Sequence, residues 1–181
     1  MKRGLLLIDI QNAFLNPWWG ERNNPGAEQN AIKLLKNWRN KGWPVLHVQH
    51  TSENPESLFY KNGPGHSFKE GFTPIDGEPV FQKSVNSAFI GTNLKEYLDA
   101  RGIQSLVIVG LTTPHCVSTS TRMAGNYGYD VYLVADATAA FELKGPNGIR
   151  FDPQTIHDTE LAILNGEFAK LTSTQEILNT R

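Results

Sequence analysis

Residues 4–10 read Gly-Leu-Leu-Leu-Ile-Asp-Ile. The run is apolar without alternation, which is the pattern of a strand covered on both faces, as in a parallel sheet. Comparable runs follow at Pro44 to Val48, Pro79 to Phe81, Gln104 to Gly110, Asp130 to Val134 and Gly166 to Leu171. Helical patterns lie between them. Asn24-Pro25 reads as a cap with proline at the first helical position. Ala27, Ala31, Leu34, Leu35 and Trp38 then share one face up to Gly42. A second helix starts from a Thr92 cap and carries Leu94, Tyr97 and Leu98 to Arg101-Gly102. A third is expected from about Cys116 to Tyr127, and a fourth opens at Asp152-Pro153 with Ile156, Leu161 and Leu164 apolar. Ser173 with Glu176 forms a capping box for the last. Strands alternating with helices imply right-handed crossovers and a parallel sheet with helices on both faces.

The chain has 181 residues, which at roughly 150 residues per domain gives a single domain over 1–181. Seventeen basic against 18 acidic residues leave a net charge of -1, which speaks against nucleic-acid binding and against docking on an anionic membrane. No apolar run approaches a membrane span, and Leu5 to Ile8 is too short for a leader. A single cysteine excludes an internal disulfide and a cysteine-rich zinc site, and a lone thiol fits a reducing compartment such as the cytoplasm. The stretch from about Thr51 to Gly77 is rich in Gly, Pro, Ser and Asn, yet it carries Phe59, Tyr60, His66, Phe68 and Phe72. It reads as a pocket wall or a subunit contact.

In doubly wound sheets, ligands bind at the carboxyl ends of the strands. The polar groups there are Asp9, His50, Lys83, Cys116 and Asp136. Cys116 follows the fourth strand and the turn Leu111-Thr112-Thr113-Pro114-His115, at an expected helix start. Helix dipole and free N–H groups there are expected to lower its thiol pKa and to offer an oxyanion hole. Asp9 could carry the thiol proton to a leaving amine, and the Lys83 cation could hold both charges. Each also has an ordinary structural reading: a buried core cysteine, a paired strand-end carboxylate, a surface lysine. His47 and His50 lie three apart on one strand, so they face opposite ways and form no helical metal pair.

These residues resemble the isochorismatase-like cysteine hydrolases, which include nicotinamidase, N-carbamoylsarcosine amidase and ureidoacrylate amidohydrolase. The resemblance runs nearly end to end, through Leu7-Ile8-Asp9-Ile10-Gln11-Asn12-Ala13-Phe14, Val48-Gln49-His50-Thr51, Lys83-Ser84-Val85-Asn86-Ser87-Ala88-Phe89, Val109-Gly110-Leu111-Thr112-Thr113-Pro114-His115-Cys116-Val117 and Val134-Ala135-Asp136-Ala137-Thr138-Ala139. It implies a three-layer α/β/α fold with a six-stranded, mostly parallel, Rossmann-like sheet. It implies a catalytic triad of Asp9, Lys83 and Cys116, a cis Leu111-Thr112 peptide, and an oxyanion hole from the N–H groups of Thr112 and Cys116.

The implied activity is cleavage of a small amide, ureido or lactam C–N bond through a thioester. Nicotinamidases hold a divalent metal through an Asp-x-His pair after the second strand. Here that place reads Val48-Gln49-His50 and lacks the carboxylate, so no metal and no other cofactor is expected. Two alternatives stand beside this reading: a nicotinamidase-type deamidase with a weak metal site, and a non-catalytic thiol sensor or partner-binding protein on the same fold. Phe14, Trp18, His50, Phe59, Phe68, Phe89 and His115 are the candidates for pocket lining, by motif or loop position, with core packing as the alternative for each aromatic. The resemblance also implies a homo-oligomer, a dimer or tetramer, acting on a small molecule.

Overall fold

The structure is a computed structural model and describes residues 3–179. Six parallel strands form the central sheet: β1 (Gly4–Ile8), β2 (Val45–His50), β3 (Val80–Lys83), β4 (Ser105–Leu111), β5 (Asp130–Ala139) and, after the small β6 (Leu143–Lys144) and β7 (Arg150–Phe151), β8 (Lys170–Thr172). Their order is β3-β2-β1-β4-β5-β8. The order reverses at β1, so its carboxyl end lies where ligands of doubly wound sheets bind.

The unalternating run of β1 is explained by two cores. Leu5 and Leu7 pack with Ala31, Leu34, Leu35 and Trp38 of α1 (Ala27–Lys41) and Ile177 of α5 (Thr174–Asn179). Leu6 and Ile8 face the other layer, with Leu94 and Leu98 of α2 (Leu94–Ala100), Ala124 of α3 (Ser118–Asn126) and Leu161 and Leu164 of α4 (Pro153–Leu164). All five β1 residues are buried. At roughly 1.5–3 kcal/mol for each fully buried aliphatic side chain, this strand alone anchors both layers.

Several local readings need correction. Asn24 does not cap α1 with its side chain; Gly26 holds that place. Asn24 instead adopts φ +43 and sends Nδ2 to the carbonyls of Ala135 (3.1 Å) and Thr138 (2.9 Å), tying the entry of α1 to β5. The third helix does not begin at Cys116. A π-helical turn spans Thr113–Val117, and α3 starts only at Ser118. β5 runs five residues beyond Val134, past a register irregularity opposite Ile108 and Gly110. β8 begins at Lys170 rather than Gly166.

The antiparallel pair β6–β7 was not foreseen, because two-residue strands carry no periodicity. The cap of α4 is as read: Asp152 Oδ1 accepts from Thr155 N at 2.9 Å. The capping box closes both ways, Ser173 N to Glu176 Oε2 at 2.8 Å and Glu176 N to Ser173 Oγ at 3.2 Å. Among the described residues no helix is long and apolar enough to cross a membrane.

Candidate active site

Alternation along β1 would send residue 9 the way of Leu5 and Leu7, toward α1. Asp9 does the opposite. Its φ of +50 lies in the left-handed region, which Asp tolerates better than most residues, and the strand ends there. The carboxylate therefore meets Lys83, the last residue of β3, whose neighbour two back, Phe81, belongs to the core on the α2 side. Lys83 Nζ donates to Asp9 Oδ2 at 2.7 Å. His50 is the register partner of Lys83 across β2 and β3, and its Nδ1 lies 3.1 Å from the same ammonium. Cys116 Sγ is 3.3 Å away. The three N–H bonds of the ammonium thus have three acceptors, which fixes its rotor.

Gln11 holds this corner in place. Its Oε1 accepts from His50 N at 2.8 Å, and its Nε2 donates to the carbonyls of His50 (3.0 Å) and His66 (2.8 Å). The buried carboxamide thereby continues the pairing that β1 gives up at Asp9.

The electrostatics run against one expectation. Burial, then the Asp9 charge, push the Cys116 thiol up to about 12, although Lys83 works in the opposite direction. The thiol is neutral at rest, and the expected lowering at a helix start does not occur. Burial likewise raises the Asp9 carboxyl above its usual value, against the pull of Lys83. A raised carboxyl makes a stronger base. Asp9 Oδ1 is buried and has no hydrogen-bond partner among the described residues, so one lone-pair side stays available. Desolvation and then the Lys83 charge lower His50 to about 4, so it is a neutral imidazole whose Nδ1 accepts.

Cys116 reaches this group through the turn after β4. Gly110 takes φ +130 where β4 passes closest to β1, and a Cβ there would collide with the backbone of Ile8. The Leu111-Thr112 peptide is cis. Thr112 O accepts from His115 N (3.1 Å) and Val117 N (3.3 Å), so Thr112 and Cys116 belong to one tight turn. Side chains brace it: Thr112 Oγ1 lies 2.9 Å from His115 Nδ1, and Thr113 Oγ1 lies 2.8 Å from Nδ1 of the buried His157.

A cysteine-bearing turn after the strand beside β1, with carboxylate and lysine from flanking strands, is the arrangement to compare with known proteins. The model of the isochorismatase domain matches residues 3–176. The chain belongs to the isochorismatase family. The family's members are hydrolases acting on C–N or related bonds. The chain is 51% identical to the uncharacterized isochorismatase family protein YrdC of Bacillus subtilis, over 98% of this chain and 95% of that one. It superposes on a crystal structure described as a family hydrolase from Chromobacterium violaceum with a TM-score of 0.95, 42% identity, and coverage of 98% and 92%.

Relatives with named activities are more distant. They include a streptothricin hydrolase of Streptomyces noursei (28% identical over 81% of this chain and 58% of that one) and the ureidoacrylate amidohydrolase RutB of Methylobacterium radiotolerans (27%, 74% and 66%). Nicotinamidase 3 of Arabidopsis thaliana is 28% identical over 76% of this chain and 73% of that one.

Within this isochorismatase-family fold, the candidate lining residues separate. His50 and Phe59 are adjacent, ring centroids 4.9 Å apart. Phe14 is buried against Phe59, Trp19 and Phe141. Trp18 points outward at 75% exposure, resting edge-on against Trp19. Phe68 lies on the α1 side, packed on His47, and is not brought to the thiol. Phe89 packs on Tyr127 and Tyr129 in the core that also contains Cys116. His115 is exposed within the turn that carries Cys116.

Asp136 serves structure, its carboxylate accepting from Thr174 N and Oγ1 at the start of α5. A cleft of about 450 Å³, lined by His50, Thr51, Ser52, Gln82, Lys83 and Ser84 among others, opens at the ends of β2 and β3. Of the candidate lining residues only His50 borders it, and Cys116 and Asp9 do not.

The divalent metal of nicotinamidases does not fit these residues. Donor atoms of Asp9, His50 and Cys116 lie within 4.8 Å of one another, but the Lys83 ammonium is bonded to all three. A dication there would face a buried cation with no added carboxylate. Gln49, in the carboxylate's place, donates to His66 O and accepts from Gln82. His66 Nε2 in turn lies 2.9 Å from Thr51 Oγ1.

The sequence reading missed Asn86, whose Oδ1 lies 3.9 Å from Cys116 Sγ. Its place three residues after Lys83, within the Lys83–Phe89 block, was the available signal.

Proposed function

We propose that this isochorismatase-family hydrolase cleaves the C–N bond of a small amide, ureido or lactam substrate through a thioester on Cys116. The observation that carries the reading is the buried ammonium of Lys83, which contacts both a buried carboxylate and a buried thiol. Such a group is costly to bury without a task that needs it. Asp9 takes the thiol proton as Sγ bonds to the carbonyl carbon, and Lys83 offsets the charge on both partners. The carbonyl oxygen becomes an oxyanion beside the backbone of Thr112 and Cys116. Collapse breaks the C–N bond, and the proton on Asp9 passes to the leaving nitrogen. Water then attacks the thioester and gives its proton to Asp9, and the thiol is restored as the acid departs. The named activities of the streptothricin, ureidoacrylate and nicotinamide hydrolases among the relatives support a C–N bond as the target.

The test is a panel of amides, ureas and lactams scored by ammonia or amine release, with rapid-quench mass spectrometry of the protein. Turnover with an acyl adduct on Cys116, abolished in Cys116→Ala, is the expected result. Turnover that survives Cys116→Ala, or no adduct and no release across the panel, overturns the reading.

A further inference from the structure

The inward side of the Cys116 thiol is filled by Asp9 and Lys83. Asn86 stands exposed on the loop between β3 and α2, so its contact with the thiol is on a solvent-facing side that a substrate can reach. Its Oδ1 is 3.9 Å from Sγ, and among the described residues its carboxamide has no other hydrogen-bond partner. The loop that presents it is pinned. Ala88 N donates to Ser120 Oγ at 3.0 Å, and Ala88 O accepts from Thr92 Oγ1 at 2.6 Å. Ser87 Oγ accepts from Phe89 N at 3.1 Å and donates to Met123 Sδ at 2.6 Å. Ser87 and Ala88 are both buried. The carboxamide is thus a polar group with one weak partner, carried next to the thiol on a backbone fixed at the two residues that follow it.

We propose that Asn86 selects substrates that carry an N–H on the scissile carbonyl, by accepting that N–H with Oδ1. The inference rests on the thioester reading above. The carboxamide turns Oδ1 rather than Nδ2 toward the thiol, and in that orientation it offers nothing to the substrate's carbonyl oxygen, itself an acceptor. It matches the N–H of a primary or secondary amide, a ureido group or an unsubstituted lactam. An ester presents a lone pair at the same point, so Oδ1 repels it and the site leaves a polar group unpaired. When Asp9 takes the thiol proton, the weak thiol contact to Oδ1 is released, and the acceptor is free as the substrate nitrogen arrives.

The experiment compares a primary amide with the methyl ester of the same acid, in the wild-type protein and in Asn86→Leu, Asn86→Ala and Asn86→Asp. The amide-to-ester ratio of kcat/KM cancels effects common to both substrates. The ratio is expected to fall about tenfold in Asn86→Leu and Asn86→Ala, the worth of one neutral hydrogen bond, and to be retained in Asn86→Asp, which keeps an acceptor. Asn86→Ala only shortens an exposed side chain, so it gives the reading if the leucine variant misfolds. A ratio that does not move, amide and ester rates that fall in parallel, or a loss as large in Asn86→Asp each overturn the role of Asn86 while Cys116→Ala still abolishes turnover. Turnover of both substrates that survives Cys116→Ala overturns the thioester reading itself, and this inference with it.

Discussion

The Lys83 ammonium and the Asp9 carboxylate meet at 2.7 Å with neither side chain exposed to solvent. A pair this deep is stable only while both partners remain, because removing one leaves the other charged and unpaired. Lys83→Met is expected to destabilise the protein by about 3–5 kcal/mol in urea unfolding, and Asp9→Asn by a similar amount. The double variant Asp9→Asn/Lys83→Met is expected to be clearly more stable than the sum of the two losses predicts. Simple additivity would mean that the pair is not the coupled unit its geometry describes.

The thiol at about 12 has a consequence for labelling. At pH 7, iodoacetamide is expected to alkylate Cys116 roughly a thousandfold more slowly than an unperturbed thiol, since only the thiolate reacts. Asp9→Asn removes a negative charge that raises the thiol. Alkylation of that variant is expected to be faster at pH 8, although its turnover is lost. The two readouts thus move in opposite directions, and a variant that alkylates more slowly than the wild type contradicts the assigned roles.

The sheet was legible because burial on both faces leaves a simple mark: Leu5 to Ile8 has no polar face to show. Family motifs supplied Asp9, Lys83 and Cys116, and the geometry brings the carboxylate and the thiol to the Lys83 ammonium. The direction of the Asp9 side chain was not legible, because alternation assigns it to the α1 side and only the left-handed φ reverses it. The thiol was misread for a related reason. The sequence shows a helix start, whereas burial beside a carboxylate decides the shift. Phe68 and Asn86 show the limit for loops. Nothing local says that Phe68 packs on His47, or that Asn86 reaches Sγ, because both follow from where distant elements pin the loop.

Acid is expected to weaken the fold below about pH 6.5. His50 is lowered to about 4, so between its unfolded value near 6.5 and 4 the unfolded chain binds the proton that the folded chain refuses. Stability therefore falls as pH drops through that window, by up to about 3 kcal/mol from His50 alone. Burial lowers His47 and His157 in the same direction. Below pH 4.5 a second loss follows, because Glu28 and Glu78, held at about 2 by their Arg22, Lys69, Arg39 and His47 partners, must be protonated. Asp9, raised by burial, contributes with the opposite sign. Thermal unfolding from pH 7.5 to 3.5 checks the slope. Replacing His50 with Gln should flatten its first part, and an unchanged slope would remove His50 from the account.

The aromatic cluster of Phe14, Trp18, Trp19, Phe59 and Phe141 divides by burial, and the division is measurable. Phe14 is 7% exposed and packs on Phe59, Trp19 and Phe141, with centroids 4.8–5.9 Å apart. Phe14→Ala removes a ring from a closed contact set and is expected to cost about 3–5 kcal/mol. Trp18, at 75% exposure, rests on Trp19 alone among the ring contacts, and Trp18→Ala is expected to change stability by no more than about 0.5 kcal/mol. If Trp18 nevertheless takes part in substrate binding, its variant will raise KM with stability intact, whereas Phe14→Ala will lower the melting temperature first. A Trp18→Ala protein as unstable as Phe14→Ala would show that its ring is covered in solution, and sedimentation of that variant would then reveal whether a second copy of the chain provides the cover.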